Sequence, residues 1–342
     1  MTFTSNVSKS LLQQLIQQFP TRLSYAFAYG SGVFNQNVVK NTDKNMIDLI
    51  VVTEDSLDFH YHNLIKNRNH YSMLGSLGPK WLSTIQEKFS AYVYFNTLIP
   101  FNGHLIKYGV ISNKQLISDC LDWQTLYISG RLHKPVVTLI EPNSNELSVA
   151  INKNTENAIH AALLLLSERF TEEELYMRIA NISYIGDFRM TIGEDRQKIQ
   201  KLVLPQIDNF RHLYQPILTS KALSQLVTWD PNSRIYSQDC SPKAKLYHLN
   251  MLPKSLEEIL IKEWNQYNDH QFADVDYLFD SLAHSFECRE QIQFAIKTIV
   301  EKSSTAQSLK GLFTAGLNKS IQYSAKKLYK MYKSLDLQTK LT

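Results

Sequence analysis

The segment AYGSGVF, Ala28 to Phe34, followed after a short spacer by NMIDLIVV, Asn45 to Val52, decides how this chain is read. The run RLSYAFAYG alternates and is rich in aromatic residues, which predicts a strand that ends at Gly30-Ser31-Gly32. Two glycines let a backbone approach an anion closely, and amides that follow a strand can point at a phosphate. Ser31 adds a hydroxyl donor. MIDLIVVT predicts a buried strand, with β-branched residues around Asp48. A carboxylate in such a strand is costly to bury unless it is paired, hydrogen-bonded or bound to a cation. A structural salt bridge satisfies Asp48 as well as a metal does, and the residues alone leave both open.

On an extended strand Asp48, Ile50 and Val52 share one face, and only the first is acidic. Glu54 and Asp55 are the next carboxylates. Glu54 lies about 20 Å from Asp48 at ~3.3 Å per extended residue, so both reach one ion only if the chain turns back. Strand, glycine-serine turn, spacer and Asp-bearing strand together resemble the nucleotidyltransferase fold of the polymerase beta superfamily. There the turn holds a triphosphate, and carboxylates spaced Asp-x-Asp or Asp-x-Glu hold Mg²⁺ against it. The resemblance implies a phosphate cradle at Gly30, Ser31 and Gly32 and a metal ligand at Asp48. Ile50 departs from the pattern. The remaining shell is then expected from Glu54, from Asp55, or from the triphosphate itself with water.

Outward from this core, strand, helix and strand signals interleave up to about Ser112, where AYVYFNTLI and HLIKYGVIS flank the turn PFNG. This predicts an α/β domain with a mixed sheet over residues 1–112. A mostly helical region over 113–214 completes the cleft and includes the strand-like PVVTLI. A helical region with a loop-rich centre, WDPNSRIYSQDCSPKAK, covers 215–305. In TEEELYMRIANISYI, Thr171 and Glu174 predict a capping box. SKSLLQQLIQQF predicts a first helix with Leu12, Leu15 and Ile16 facing the core.

The 342 residues are 44% hydrophobic and 20% charged, which suits a chain with a real core. Cys120, Cys240 and Cys288 stand far apart without a CxxC, which argues against a disulfide framework and for a reducing compartment. No stretch approaches the ~18 apolar residues that cross a bilayer. The net charge of +4 is uneven: residues 306–342 hold seven lysines and one acid, Asp336, leaving −2 for the rest. Leu317, Ile321, Leu328, Met331 and Leu335 recur at near-helical spacing beside Lys319, Lys326, Lys330 and Lys333. That pattern predicts a C-terminal amphipathic helix lying on an anionic membrane surface, or docked on the protein with its lysines in water.

Basic clusters mark further candidates. In IKNRNHYS, Lys66 and His70 are one helical turn apart, beside Asn67, Arg68 and Tyr71. LYISGRLHKPV packs Arg131, His133 and Lys134 around Gly130 and Pro135. SYIGDFRMTIGED holds Asp187 and Arg189, which suit a structural ion pair as well as a site. His60-x-His62 lacks a third ligand, and no GxSxG elbow points to acyl transfer.

FAYGSGVF, KNMIDLIVV, KNRNHYSMLG, IKYGVIS, LYISGRLHKPV, SYIGDFRM and QSLKGLFTAGLNKS occur in this order. The set resembles the mitochondrial phosphatidate cytidylyltransferases, also described as mitochondrial translocator assembly and maintenance proteins, from about Phe27 to Lys319. The resemblance implies synthesis of CDP-diacylglycerol and pyrophosphate from CTP and phosphatidic acid, for cardiolipin, by a peripheral enzyme on the matrix side of the mitochondrial inner membrane. Mg²⁺ is the implied cofactor. Asp48, Ser31 and Lys66 are the expected catalytic residues. Asn67, His70 and Tyr71 join Lys66 in the nucleotide pocket, and Lys107 stands near where the fold often carries a third carboxylate. Arg131, His133 and Lys134 are candidates for the phosphatidate phosphate or the leaving pyrophosphate. Nucleic acid is not an expected partner, and nothing in the sequence sets an oligomeric state. The competing readings are a nucleotidyltransferase acting on RNA or a small molecule, and a non-catalytic factor for a membrane translocator in which Asp-x-Ile marks a dead site.

Overall fold

Strand side chains alternate between two faces, and in the computed structural model both faces of the first two strands are occupied. The structure describes residues 7–20, 22–34, 46–190, 197–267 and 274–315. β1 (Tyr25–Tyr29) and β2 (Ile47–Thr53) pair antiparallel, with Tyr29 opposite Asp48 and Ala28 opposite Leu49. β3 (Tyr94–Phe101) and β4 (His104–Ser112) form a hairpin whose two turn residues, Asn102 and Gly103, both take positive φ. β4 lies parallel to β2, which sets Lys107 beside Asp48. β5 (Val137–Ile140) pairs with the outer edge of β1, so the order is β3-β4-β2-β1-β5. The sheet is mixed, as an α/β reading requires. Its fifth strand comes from beyond residue 112.

α1 (Lys9–Ile16) starts on a Ser8 cap, and α2 (Ser56–Lys66) starts on Asp55. Leu12, Leu15 and Phe59 of this layer pack with Leu49, Val51, Tyr108 and Val110 of the sheet. α3 (Pro79–Lys88) lies beside α2, and the two supply the crossover that the parallel β2–β4 pair needs. The other face presents Tyr25, Phe27, Tyr29, Ile50 and Val52. It is covered by α4 (Asn113–Asp122), α5 (Ser129–Leu132) and the start of α6 (Asn145–Leu165).

The apolar end of α6, which includes Ile159 and Leu163, organises a second core with α7 (Glu172–Asn181), α8 (Lys198–Val203) and α9 (Ile207–Leu218). α10 (Pro242–Leu249), α11 (Lys254–Tyr267), α12 (Val275–His284) and α13 (Cys288–Ala315) complete it. The Thr171–Glu174 capping box opens α7. A second sheet, β6 (Arg169–Thr171), β7 (Val227–Asp230) and β8 (Ile235–Gln238) in the order β6-β8-β7, stands where the sequence reading placed helix and loop. Strands of three or four residues are too short to show periodicity. Their hairpin turns through Pro231-Asn232-Ser233-Arg234 and is held by Trp229 against Tyr236 at 4.5 Å.

α13 returns from the second core to the first sheet. The Gln307 side chain accepts from Ser90 Oγ at 2.9 Å and from Ala91 N at 3.4 Å, and donates to Val93 O at 3.5 Å. Lys310 Nζ donates to Phe89 O at 2.9 Å. The expected amphipathic stripe, Leu317 to Leu335 with Lys319, Lys326, Lys330 and Lys333, lies outside the described residues. Among the described residues no helix is long and apolar enough to cross a membrane.

Candidate active site

The turn after β1 is built around Gly30. Its φ of +81° is open to glycine at little cost, and its carbonyl accepts from Val33 N and Phe34 N, both at 3.0 Å. A Cβ on Gly32 would fall 2.1 Å from Met46 O, so only glycine lets the turn lie on the entry to β2. A Cβ on Gly30 would approach Asp48 Oδ2 to 3.4 Å. Gly30, Ser31, Gly32 and Asp48 are thus brought together by strand register alone.

Asp48 is half-buried, and Lys107 Nζ stands 3.8 Å from its Oδ1. Lys107 also lies over the Phe95 ring at 4.4 Å. Tyr29, opposite Asp48, has a buried hydroxyl with no hydrogen-bond partner among the described residues. Burial raises its pKa and Asp48 adds to this, against Lys107 and Arg131. Arg131 stacks over Tyr29 at 5.1 Å and Tyr127 at 5.9 Å, and Arg189 reaches the other side of the same cluster, 5.9 Å from Tyr127. Burial opposes ionisation of Tyr127, but Arg189, Lys107 and Arg131 outweigh it and hold its pKa below the ordinary value. Arg189 is oriented by Asp187, which accepts from its Nε at 2.9 Å and its Nη2 at 2.6 Å. Tyr29 therefore lies among Asp48, Lys107 and Arg131, and Arg189 joins the cluster through Tyr127.

The loop that presents Tyr127 and Arg131 depends on a buried acid that the sequence reading passed over. Asp119 Oδ1 accepts from Thr125 N, Thr125 Oγ1 and Leu126 N, and Oδ2 accepts from Ser129 N, at 2.8 to 3.1 Å. These bonds hold Leu126 at a φ of +52°. Gly130 then packs so closely on Ser183 that a Cβ there would meet Ser183 Cβ at 2.3 Å. Contact between LYISGRLHKPV and SYIGDFRM is what places Arg131 and Arg189 together.

The three candidates of the first of these segments separate. Arg131 faces the site. Lys134 is buried beneath it, donating to Gly130 O at 2.5 Å and Ser183 Oγ at 2.7 Å, over the Tyr184 ring at 4.8 Å. Burial pushes its ammonium down to about 7. His133 is fully buried against Trp123, and its Nε2 is bonded to Asn154 Oδ1 at 2.9 Å. Burial, with Lys134 adjacent, pushes it down to about 3, so it is a neutral packing residue away from solvent.

Two groupings expected from the sequence need correction. Glu54 and Asp55 do not turn back towards Asp48. β2 stays extended through Thr53, which sets them about 20 Å away at ~3.3 Å per residue. Glu54 accepts from Ser24 at 2.7 Å and Asn143 at 3.0 Å, bonds that hold it below the usual carboxylate range, and Asp55 caps α2. Lys66, Asn67, His70 and Tyr71 lie at the same end of the sheet as Asp48 but across it. Lys66 donates to Gln17 O at 3.1 Å, Asn67 to Gln18 O at 3.0 Å, and His70 Nδ1 meets Tyr108 OH at 3.0 Å. Tyr71 is buried, receiving Asn63 Nδ2 at 2.9 Å. Lys66, Asn67 and His70 line a cavity of about 270 Å³ whose wall includes Phe19, Ile106 and Tyr108, residues of the α1–α2 face. His60 is bonded to Tyr71 and Gln86 inside the same layer, while His62 pairs with Asp58 on the surface, so the two do not converge.

The donor set bears on a metal. Among the described residues no three His, Cys, Asp or Glu side chains form a cage. Mg²⁺ is nevertheless commonly held by one or two carboxylates with substrate phosphates and water. Asp48 beside a glycine turn, near the orphaned Tyr29 hydroxyl, is compatible with a cation held in that form, and it already pairs with Lys107 at 3.8 Å.

Comparison with known proteins places the chain in a family. The sequence pattern of the family described as "Phosphatidate cytidylyltransferase, mitochondrial" matches residues 12–330. Proteins of that name from Xenopus laevis and Danio rerio are each 42% identical, over 94% of this chain and 95% and 94% of their own lengths. The one from Caenorhabditis elegans is 39% identical over 94% of this chain and 98% of its own. With a match spanning nearly all of both chains, the protein belongs to the mitochondrial phosphatidate cytidylyltransferase family.

Proposed function

We propose that this protein transfers the cytidylyl group of CTP to phosphatidate on a polymerase beta-like nucleotidyltransferase fold, giving CDP-diacylglycerol and pyrophosphate. The observation that carries the reading is the register that sets Asp48 between the Gly30-Ser31-Gly32 turn and Lys107, with Arg131 and Arg189 converging on the same face. A phosphatidate oxygen attacks the α-phosphorus, a new P–O bond forms, and the bond to the β-phosphate oxygen breaks. The phosphatidate phosphate is already ionised at neutral pH, so no strong general base is required.

The turn amides and Ser31 are assigned to the triphosphate. Arg131, over the Tyr29 and Tyr127 rings, offers a forked donor to phosphate oxygens, and Lys107 offers a point charge. Lys134 lies behind Arg131 and acts by holding Gly130 and Ser183. Asp48 would hold Mg²⁺, which when bound neutralises triphosphate charge and aligns the leaving group. Lys66, Asn67 and His70 are assigned to their own cavity rather than to the triphosphate. The setting is the matrix side of the mitochondrial inner membrane, where the product serves cardiolipin synthesis, and the lysine-rich C-terminal segment adds attraction to anionic lipid.

The test is purified protein with CTP, Mg²⁺ and phosphatidate in liposomes. Product formation that disappears in Asp48→Ala supports the assignment. A folded wild-type protein that forms no CDP-lipid from any phosphatidate would end it.

A further inference from the structure

α2 exposes two stripes, and one of them is apolar. Leu57, Tyr61 and Ile65 recur every fourth residue on the side of α2 that turns towards α3, where Leu64 packs with Leu82. Lys66 points the other way, towards α1. α3, which packs beside α2, starts near the exposed Trp81, and the 3₁₀ turn Met73–Leu77, with Met73 and Leu77 exposed, packs on α3. Ile65 is 69% exposed, Met73 89% and Trp81 60%. Single exposed apolar residues are ordinary, but a cluster of six on adjoining elements marks an interaction surface.

Charge identifies the occupant. From Ser56 to Phe89 there are four Lys or Arg residues (Lys66, Arg68, Lys80 and Lys88) against Asp58 and Glu87. Asp58 is paired with His62, and Glu87 is bonded to Ser56 and Ser112. Leaving out Lys66, which points towards α1, the face still carries three cations, Arg68, Lys80 and Lys88, against two acids, a net positive balance. That disfavours the chain's own tail, which carries seven lysines and one acid from residue 306, and equally a second copy of the same face. It favours a surface both apolar and anionic.

We propose that the α2–Met73–Trp81 face docks on a bilayer containing acidic phospholipid, with Ile65, Met73 and Trp81 entering the acyl boundary and Lys80 and Arg68 at the headgroups. The proposal rests on the phosphatidate reading only in the choice of lipid, since binding is measured without turnover.

Full-length protein is mixed with vesicles of phosphatidylcholine alone or with phosphatidate, some carrying brominated acyl chains. Bromine should quench a tryptophan signal in the acidic vesicles, and Trp81→Phe should remove that quenching while Trp123, Trp229 and Trp264 remain. The triple variant Ile65→Ser, Met73→Ser, Trp81→Ser, checked for folding by circular dichroism, should bind about tenfold more weakly or worse. Unquenched Trp81 with unchanged binding of the triple variant overturns the proposal and leaves the contact to the C-terminal segment. A wild-type dimer in solution that the triple substitution dissolves also overturns it, assigning the face to a second copy.

Discussion

Asp48 and Lys107 stand at the same level of two adjacent parallel strands, and their side chains meet at 3.8 Å on one face of the sheet. The pair is loose enough to open towards a ligand, and it puts opposite charges where a triphosphate and its counter-ion are assigned. Replacing Asp48 with Ala should lower kcat/KM by about 10²-fold or more, with the melting temperature little changed. Lys107→Met should act mainly on the CTP KM. Steady-state kinetics over a CTP series separates the two.

Arg131 lies over the rings of Tyr29 and Tyr127, contacts that suit a planar guanidinium better than an ammonium. Arg131→Lys should therefore recover little of what Arg131→Ala loses, with CTP affinity down about tenfold in both. Calorimetric titration with a non-hydrolysable CTP analogue reads this directly. A lysine variant with wild-type affinity would refute the forked role.

Asp119 serves four donors in the turn around Tyr127. Asp119→Ala leaves buried amides unpaired and should cost roughly 2–4 kcal/mol in urea unfolding. Loss of stability accompanied by loss of CTP binding is expected, because the same loop presents Arg131.

Close packing of Gly130 on Ser183 gives a paired test. Gly130→Ala should destabilise by roughly 1–3 kcal/mol through overpacking, and Ser183→Gly in the same chain should restore part of that. A double mutant that is merely additive would show that the contact is not what strains the single variant.

The buried Lys134 makes stability depend on pH. Burial brings its pKa from 10.5 to about 7 in the folded chain. Between these values the unfolded chain holds the proton and the folded chain does not, so stability rises with pH across the window, on the order of 1.4 kcal/mol per pH unit for one such group. Below pH 7 both states are protonated and the contribution is constant. Relative to Lys134→Met, the wild type should gain stability from pH 7 to 9.5. A difference that stays flat or falls over that range would contradict the assignment.

The first sheet was legible because its strands advertise themselves: MIDLIVVT is β-branched, and HLIKYGVIS follows a turn of Asn and Gly. The turn and Asp48 were legible because register follows from two adjacent strands. What sequence could not show is which face a segment covers. Lys66 and His70 sit in a basic segment much as Arg131 does, yet α2 packs on one side of the sheet and α5 on the other. Tyr29, Tyr127 and Asp119 were missed because a tyrosine in a strand and an acid in a helix look like ordinary core and surface until the loop between α4 and α5 is seen to close on them. β7 and β8 were missed because a four-residue strand has no period to detect.

β3 is an outer strand of the first sheet, and the first backbone groups at its approach are met by Gln307 of α13. One primary amide accepts from Ala91 N and donates to Val93 O, the pattern a neighbouring strand would offer. Exposed sheet edges invite pairing with foreign chains. The last turns of α13 thus act as a guard against self-association. Gln307→Ala should reveal itself first as aggregation on concentration or mild heating, before any loss of catalytic competence.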